Sequence, residues 1–97
     1  MINEGIAQVV LCHPKDNVAT AKATLRTGTL LELPEGKKVE ATEEIPFAHK
    51  IALRRISRGE SVIKYGERIG RATRAIQPGE WVHTHNVRGE RGKGRKK

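Results

Sequence analysis

The sequence predicts an all-β domain of barrel or sandwich type, and three observations carry that prediction. Short β-prone runs alternate with turn residues about every 8 to 12 positions along the chain. No segment after Pro46 sustains the 3.6-residue period of an amphipathic helix. An internal echo repeats one corner: Ile56-x-x-Gly59-Glu60-x-Val62 recurs as Ile76-x-x-Gly79-Glu80-x-Val82, and more weakly as Leu25-x-x-Gly28-Thr29-x-Leu31. Each copy is an apolar residue, a turn with glycine and a return to apolar, so the echo reads as scaffold.

The elements follow in order. Ile6 to Leu11 is a short, mostly apolar run with the length of a buried strand. His13-Pro14-Lys15-Asp16-Asn17 is a loop, because Pro fixes the backbone and Asp and Asn favour local side-chain turns. From Val18 to Leu25, residues alternate about a face of alanines, which fits a strand; a helix competes, since alanine favours it and Asp16-Asn17 could cap it. Arg26 to Thr29 turns, Leu30 to Leu33 returns as a strand, and Pro34-Glu35-Gly36 breaks it. Lys37 to Glu44 suits an edge strand, and Ile45-Pro46 forces extended backbone at Ile45. Val62 to Tyr65 and Arg68 to Ala72 flank Gly66-Glu67 as a hairpin, and Trp81 to His85 forms the last strand.

The chain has 97 residues, enough for one domain that buries about 60 to 70% of its unfolded surface on typical scaling. Phe47, Tyr65 and Trp81 are its only aromatics, so the core must be built from Val, Ile, Leu and Ala. Residues 1–87 are expected to form the domain and 88–97 a flexible basic tail, since the tail has three glycines, no apolar residue and a net +5 of the chain's +8. Such a tail can touch nucleic acid, meet an acidic partner or simply keep the protein soluble. No window is apolar enough for a membrane span and the first residues lack a signal-peptide pattern, so a cytoplasmic, membrane-free protein is expected. Cys12 is alone, which agrees with a reducing compartment and reads as a small apolar residue closing a strand.

The residues that could carry chemistry are two sets, His49-Lys50 and His83-x-His85-Asn86. In a strand, His83 and His85 would project from one face about 6.5 to 7 Å apart. Two such rings can share a metal ion, grip a polyhydroxy acid or stay solvated. Asn86 adds an amide that donates and accepts, and Lys50 a cation that can fix a carboxylate or sulfonate or stand as an ordinary surface lysine. With no Cys pair, the set suits an anionic, oxygen-rich ligand better than a structural zinc. A basic nucleic-acid-binding β domain is the alternative from another class; the scarcity of aromatics for stacking and the lack of a recognition motif argue against it.

Four motifs in register give the chain a resemblance. His13-Pro14-x-Asp16-Asn17-Val18-Ala19, His49-Lys50-x-Ala52-Leu53, Val62-Ile63-Lys64-Tyr65-Gly66-Glu67-x-Ile69-Gly70-x-Ala72 and Gly79-Glu80-x-Val82-His83-x-His85-Asn86 resemble the N-terminal SAF-type domain of the altronate and galactarate dehydratases. They are equally similar to the separate small subunit of relatives such as the sulfolactate sulfo-lyases, over about residues 5–88. The resemblance implies a β-clip fold with little helix. It implies a small subunit of a lyase that eliminates water from a sugar-derived 2-hydroxy acid, or sulfite from a sulfonated one. It also implies a large catalytic subunit as partner, with a divalent metal such as Fe2+ held mainly there and none by this chain alone. Of the matching positions, His49, Lys50 and His85 are read as catalytic and His13, Asp16, Asn17, His83 and Asn86 as substrate-binding. Ala48 stands where the family carries glycine, so the backbone is expected not to take φ > 0 there and the loop to differ.

Overall fold

A computed structural model describes residues 8–89. Its strands are β1 (Val9–Val10), β2 (Val18–Ala21), β3 (Leu30–Glu32), β4 (Lys38–Glu40), β5 (Lys50–Ala52), β6 (Ser61–Lys64), β7 (Glu67–Ala72), β8 (Trp81–Val82) and β9 (Val87–Gly89), with one 3-10 turn at Pro34–Gly36. The fold is all-β, as the turn spacing predicts, and the helix that competed for residues 18–25 does not form. A four-stranded antiparallel sheet has the order β1-β2-β5-β8, β3 pairs with β4, and a second antiparallel sheet has the order β6-β7-β9.

The echo in the sequence is the building rule of this architecture, and it has a fourth copy that the lack of a glycine hides. The turns at Gly28, Gly59 and Gly79 have φ of 92°, 84° and 91°, and Ala48 takes the same left-handed conformation at φ 72°. Ile45-x-x-Ala48-His49-x-Ile51 is therefore a fourth corner, and the expectation that alanine would keep φ negative here is overturned. Each corner closes with the same bond: Thr29, His49, Glu60 and Glu80 donate their N–H groups to the carbonyls of Arg26, Pro46, Ser57 and Gln77 at 2.9 to 3.1 Å. That is the pattern of a type II turn, which demands φ > 0 at its third residue.

The corners pair two by two. Leu25 and Ile45 exchange both backbone hydrogen bonds at 2.8 Å, and so do Ile56 and Ile76. Around each pair lies a second exchange with a buried alanine. Gly28 donates to Ala41 and Ala48 to Ala21, while Gly59 donates to Ala72 and Gly79 to Ala52, all at 2.8 Å. The alanine N–H groups return the bond to Thr29, His49, Glu60 and Glu80 at 2.8 to 3.0 Å. The repeating unit is thus Ala-x-x-x-(Leu/Ile)-x-x-(Gly/Ala)-x-x-(Leu/Ile/Val), running over 21–31, 41–51, 52–62 and 72–82. Six backbone bonds tie each pair at about 1 kcal/mol apiece, which outweighs the 1 to 2 kcal/mol, roughly, of one left-handed alanine.

Each pair of corners owns a core. Leu25, Leu31, Ile45 and Ile51 are completely buried and cluster with the buried Val9, Ala19, Ala21, Leu33, Val39 and Ala41. Ile56, Val62, Ile76 and Val82 form the second cluster with Val18, Ala52 and Ala72. The strand β5 joins them, because Ile51 ends the corner at Ala48 and Ala52 begins the corner at Gly59. Strand β2 pairs with β5 and so fastens the amino-terminal segment across the seam.

Local departures from the sequence reading have local causes. The hairpin turn between β6 and β7 is Tyr65-Gly66 rather than Gly66-Glu67, with φ of 59° and 74°. Two successive positive φ values make the primed turn that matches strand twist, and Asp16 accepts both of the N–H groups this turn exposes, from Tyr65 at 3.1 Å and Gly66 at 2.8 Å. Residues 37–44 give only the short β4, with Val39 and Ala41 turned into the first core. The final strand stops at Val82, and residues 83–86 turn instead. Arg88 and Gly89, assigned to the tail from sequence, pair with Arg71 and Gly70 in β9, so the ordered domain reaches at least Gly89. The rest of the expected tail, 90–97, and the start of the first expected strand lie outside the described residues. No helix among the described residues is long and apolar enough to cross a membrane.

Two substitutions test the corner rule by equilibrium denaturation. Ala48→Gly relieves the left-handed strain and is expected to stabilise the chain by about 1 kcal/mol. Gly79→Ala places a methyl against the Glu40 carbonyl and is expected to destabilise it by more than about 2 kcal/mol. Equal effects of the two would contradict the equivalence of the corners.

Candidate functional site

The fourth corner delivers His49 to the surface beside the end of the four-stranded sheet. Its backbone is fixed on both sides, by the donation to Pro46 and by acceptance from Ala21. Across the sheet, Trp81 opens β8 opposite Ile51 and packs against the first core. Its backbone N–H donates to a Glu43 carboxylate oxygen at 3.0 Å, and its indole Nε1 donates to His49 Nδ1 at 3.1 Å.

The turn at 83–86 brings the other two rings to the same indole. Asn86 is completely buried and uses its whole amide to shape this turn: Oδ1 accepts from the His83 N–H at 2.9 Å and Nδ2 donates to the Trp81 carbonyl at 2.8 Å. His83 stacks on Trp81 with centroids 5.6 Å apart and planes 10° from parallel, and His85 lies 5.2 Å away at 51°. His49 meets Trp81 edge-on at 5.5 Å and His83 at 4.6 Å. The two-residue spacing of His83 and His85 therefore brings them together through a turn, not along one face of a strand. Lys50 is half-buried next to His49, opposite Val82 in the register.

The electrostatics single out His83. Partial desolvation by its neighbours and, with it, the positive charges that His49, His85 and Lys50 carry or can carry hold its pKa below the ordinary 6.5. The residue is exposed by surface area, so this is the crowding of a surface cluster rather than burial in a core.

The structure gathers His49, Lys50, His83 and His85, and it places the other expected site residues elsewhere or beneath them. Asn86 lies under the cluster as its brace. Asp16 caps the β6–β7 hairpin. Asn17, completely buried, bridges a bulge in β6 by donating to the Ser61 carbonyl at 2.9 Å and accepting from the Ile63 N–H at 2.8 Å. His13 accepts from the Lys15 N–H at 3.0 Å and packs its ring on Gly66. These three belong to the opposite end of β2 from His49. Asn17 and Asn86 are completely buried, and both amide atoms of each are bonded to backbone groups, so the structure shows them bracing the local fold. Cys12 does not close a strand; it is exposed and accepts a 3.2 Å hydrogen bond from Lys64, whose ammonium is buried over the Tyr65 ring. Cys12, His13, Asp16, Lys37 and Arg54 line a cleft of about 600 Å³ at that end.

Trp81 is the site residue that sequence reasoning missed, and its signal was present: the only tryptophan of the chain lies two positions before a His-x-His. The cluster does not fit a metal ion held by this chain. No group of three or more His, Cys, Asp or Glu among the described residues is arranged to hold one, and His49 Nδ1 is already engaged by the indole.

Comparison with known proteins gives a consistent result. Residues 7–90 match the family model described as the altronate/galactarate dehydratase SAF domain. The altronate dehydratase of Escherichia coli is 41% identical over 81 residues, covering 84% of this chain and 16% of that protein. That of Bacillus subtilis is 38% identical over 76 residues, 78% of this chain and 15% of the relative. The (2R)-sulfolactate sulfo-lyase subunit alpha of Chromohalobacter salexigens is 40% identical over 65 residues, 67% of this chain and 69% of that subunit. The chain thus spans about one sixth of the dehydratases and about two thirds of the subunit.

Titration of the histidines by NMR tests the site's electrostatics. His83 is expected to titrate below 6.5, and Lys50→Met to move it part of the way back, since water exclusion is the larger cause and remains. Between the lowered folded value and 6.5 the unfolded chain binds more protons at this position, so its contribution to stability rises with pH and is lost on acidification through that window. A His83 midpoint at or above 6.5 contradicts the arrangement.

Proposed function

The chain belongs to the SAF-domain family of the altronate and galactarate dehydratases, and from that premise we propose that it is the small part of a two-part lyase acting on a 2-hydroxy acid. The reaction proposed is elimination of water from a sugar-derived acid; release of sulfite from a sulfonated acid is the alternative, supported by the coverage of the sulfo-lyase alpha subunit. The observation that carries the reading is the convergence of three imidazoles around one indole, with Lys50 near enough to act on the charge of His83, on a surface where His83 and His85 are exposed.

The chemistry fits this division of labour. Elimination breaks a C–H bond beside the carboxylate and a C–O or C–S bond on the next carbon. It needs an acceptor for the proton, donors for the carboxylate oxygens as charge builds there, and a way to stabilise the leaving group. His83, held neutral by its surroundings, supplies an acceptor at neutral pH. Lys50 and the N–H groups of His49 and His85 supply donors for anionic oxygens. An open cluster of this kind excludes little water by itself, so a second surface must close over it, and a large catalytic subunit is the proposed partner. A divalent metal such as Fe2+, implied by the family, is assigned to that partner because the residues here do not fit one.

Co-expression with the catalytic partner, followed by elimination assays on altronate, galactarate and sulfolactate, tests the reading. His49→Ala, His83→Ala and His85→Ala are expected to lower turnover by about 10² to 10⁴ while the complex still forms. Asn17→Ala is expected to lower the melting temperature first. Full turnover by all three histidine variants in purified complexes overturns the catalytic assignment.

A further inference from the structure

We infer that Trp81 is a positioning residue that sets which nitrogen of His49 faces the ligand, making His49 a hydrogen-bond donor through Nε2 to an anionic oxygen and not the base. The inference rests on the proposed reading of the cluster and deepens it.

An indole N–H can only donate. Its partner at 3.1 Å, His49 Nδ1, must therefore present a lone pair, and the proton of the neutral ring stands on Nε2. Nε2 then carries the proton of the neutral ring, and the lone pair on Nδ1 is taken up by the indole N–H. The indole in turn has little freedom to release its partner. The Trp81 backbone is held by Glu43 on one side and Asn86 on the other, and its ring packs against the first core while His83 stacks on its face. Among the described residues, no hydrogen bond engages the ring nitrogens of His83. The two rings, 4.6 Å apart, therefore take opposite parts: His49 offers hydrogen to a carboxylate or sulfonate oxygen or to the departing hydroxyl, and His83 offers a lone pair. A substrate with an oxyanion on one side and an acidic C–H on the other matches that polarity.

The test uses nitrogen-15 histidine NMR on the full chain, together with kinetics of the assembled enzyme. In the wild type, His49 is expected to show an unprotonated Nδ1 and a protonated Nε2. Trp81→Phe keeps the apolar packing and is expected to shift His49 toward a mixture of tautomers. His49→Gln keeps a donor at the reach of Nε2 but cannot act as a base, so its turnover is expected to fall no more than about tenfold, against a hundredfold or more for His49→Ala. A proton on Nδ1 in the wild type, or an unchanged tautomer in Trp81→Phe, overturns the inference. So does a His49→Gln enzyme as slow as His49→Ala. If the tautomer is as inferred but His49→Ala turns over at the wild-type rate, the reading of the site fails instead, and the indole–imidazole pairing stands.

Discussion

The structure depends on the reciprocal backbone pairing of corners, Leu25 with Ile45 and Ile56 with Ile76. Strands only two to six residues long cannot satisfy a backbone by ladders alone, and unpaired amides in an apolar interior cost more than the burial of the side chains returns. The corner solves this by giving the turn amide and the residue after it a fixed partner in a neighbouring alanine. The same six-bond pattern, used twice, buries Leu25, Ile45, Ile56 and Ile76 without long sheets. It also fixes which positions are free to vary. The residue after the left-handed turn has its backbone fully engaged and its side chain outside the core, and there the four copies carry Thr29, His49, Glu60 and Glu80. A catalytic candidate stands at a position the scaffold leaves chemically open.

Legibility in the sequence followed this division. The glycine echo predicted the corners at 28, 59 and 79, and the short runs predicted an all-β chain, because both are written in residue types with steep local preferences. The fourth corner was hidden because Ala48 breaks the rule its neighbours obey; tertiary pairing imposes the left-handed backbone that alanine alone disfavours. The alanines at 21, 41, 52 and 72 were the better signal, since they mark all four copies. The hairpin was placed one residue late because Tyr65 gives no hint of positive φ, and only the Asp16 carboxylate, 49 residues away in sequence, accounts for it.

The site was legible as residue types and not as geometry. His49, Lys50, His83 and His85 stood out and do assemble, yet the spacing argument that singled out His83 and His85 assumed a strand where a turn exists. Asp16, Asn17 and Asn86 satisfy backbone groups of turns and bulges, a role that spacing beside functional-looking histidines cannot separate from ligand binding. Trp81 went unread as a site residue because an apolar residue in a strand needs no further explanation until its N–H is seen to have a partner.

The seam at β5 sets how the molecule responds to change. Ile51 and Ala52 are consecutive, and consecutive strand residues face opposite ways, so one three-residue strand is the common wall of two compartments. A shift in that wall caused by repacking on one side moves the other by the same amount, and His49 and Lys50 sit at its rim. The candidate imidazoles are thus mounted where the two halves of the molecule share one wall.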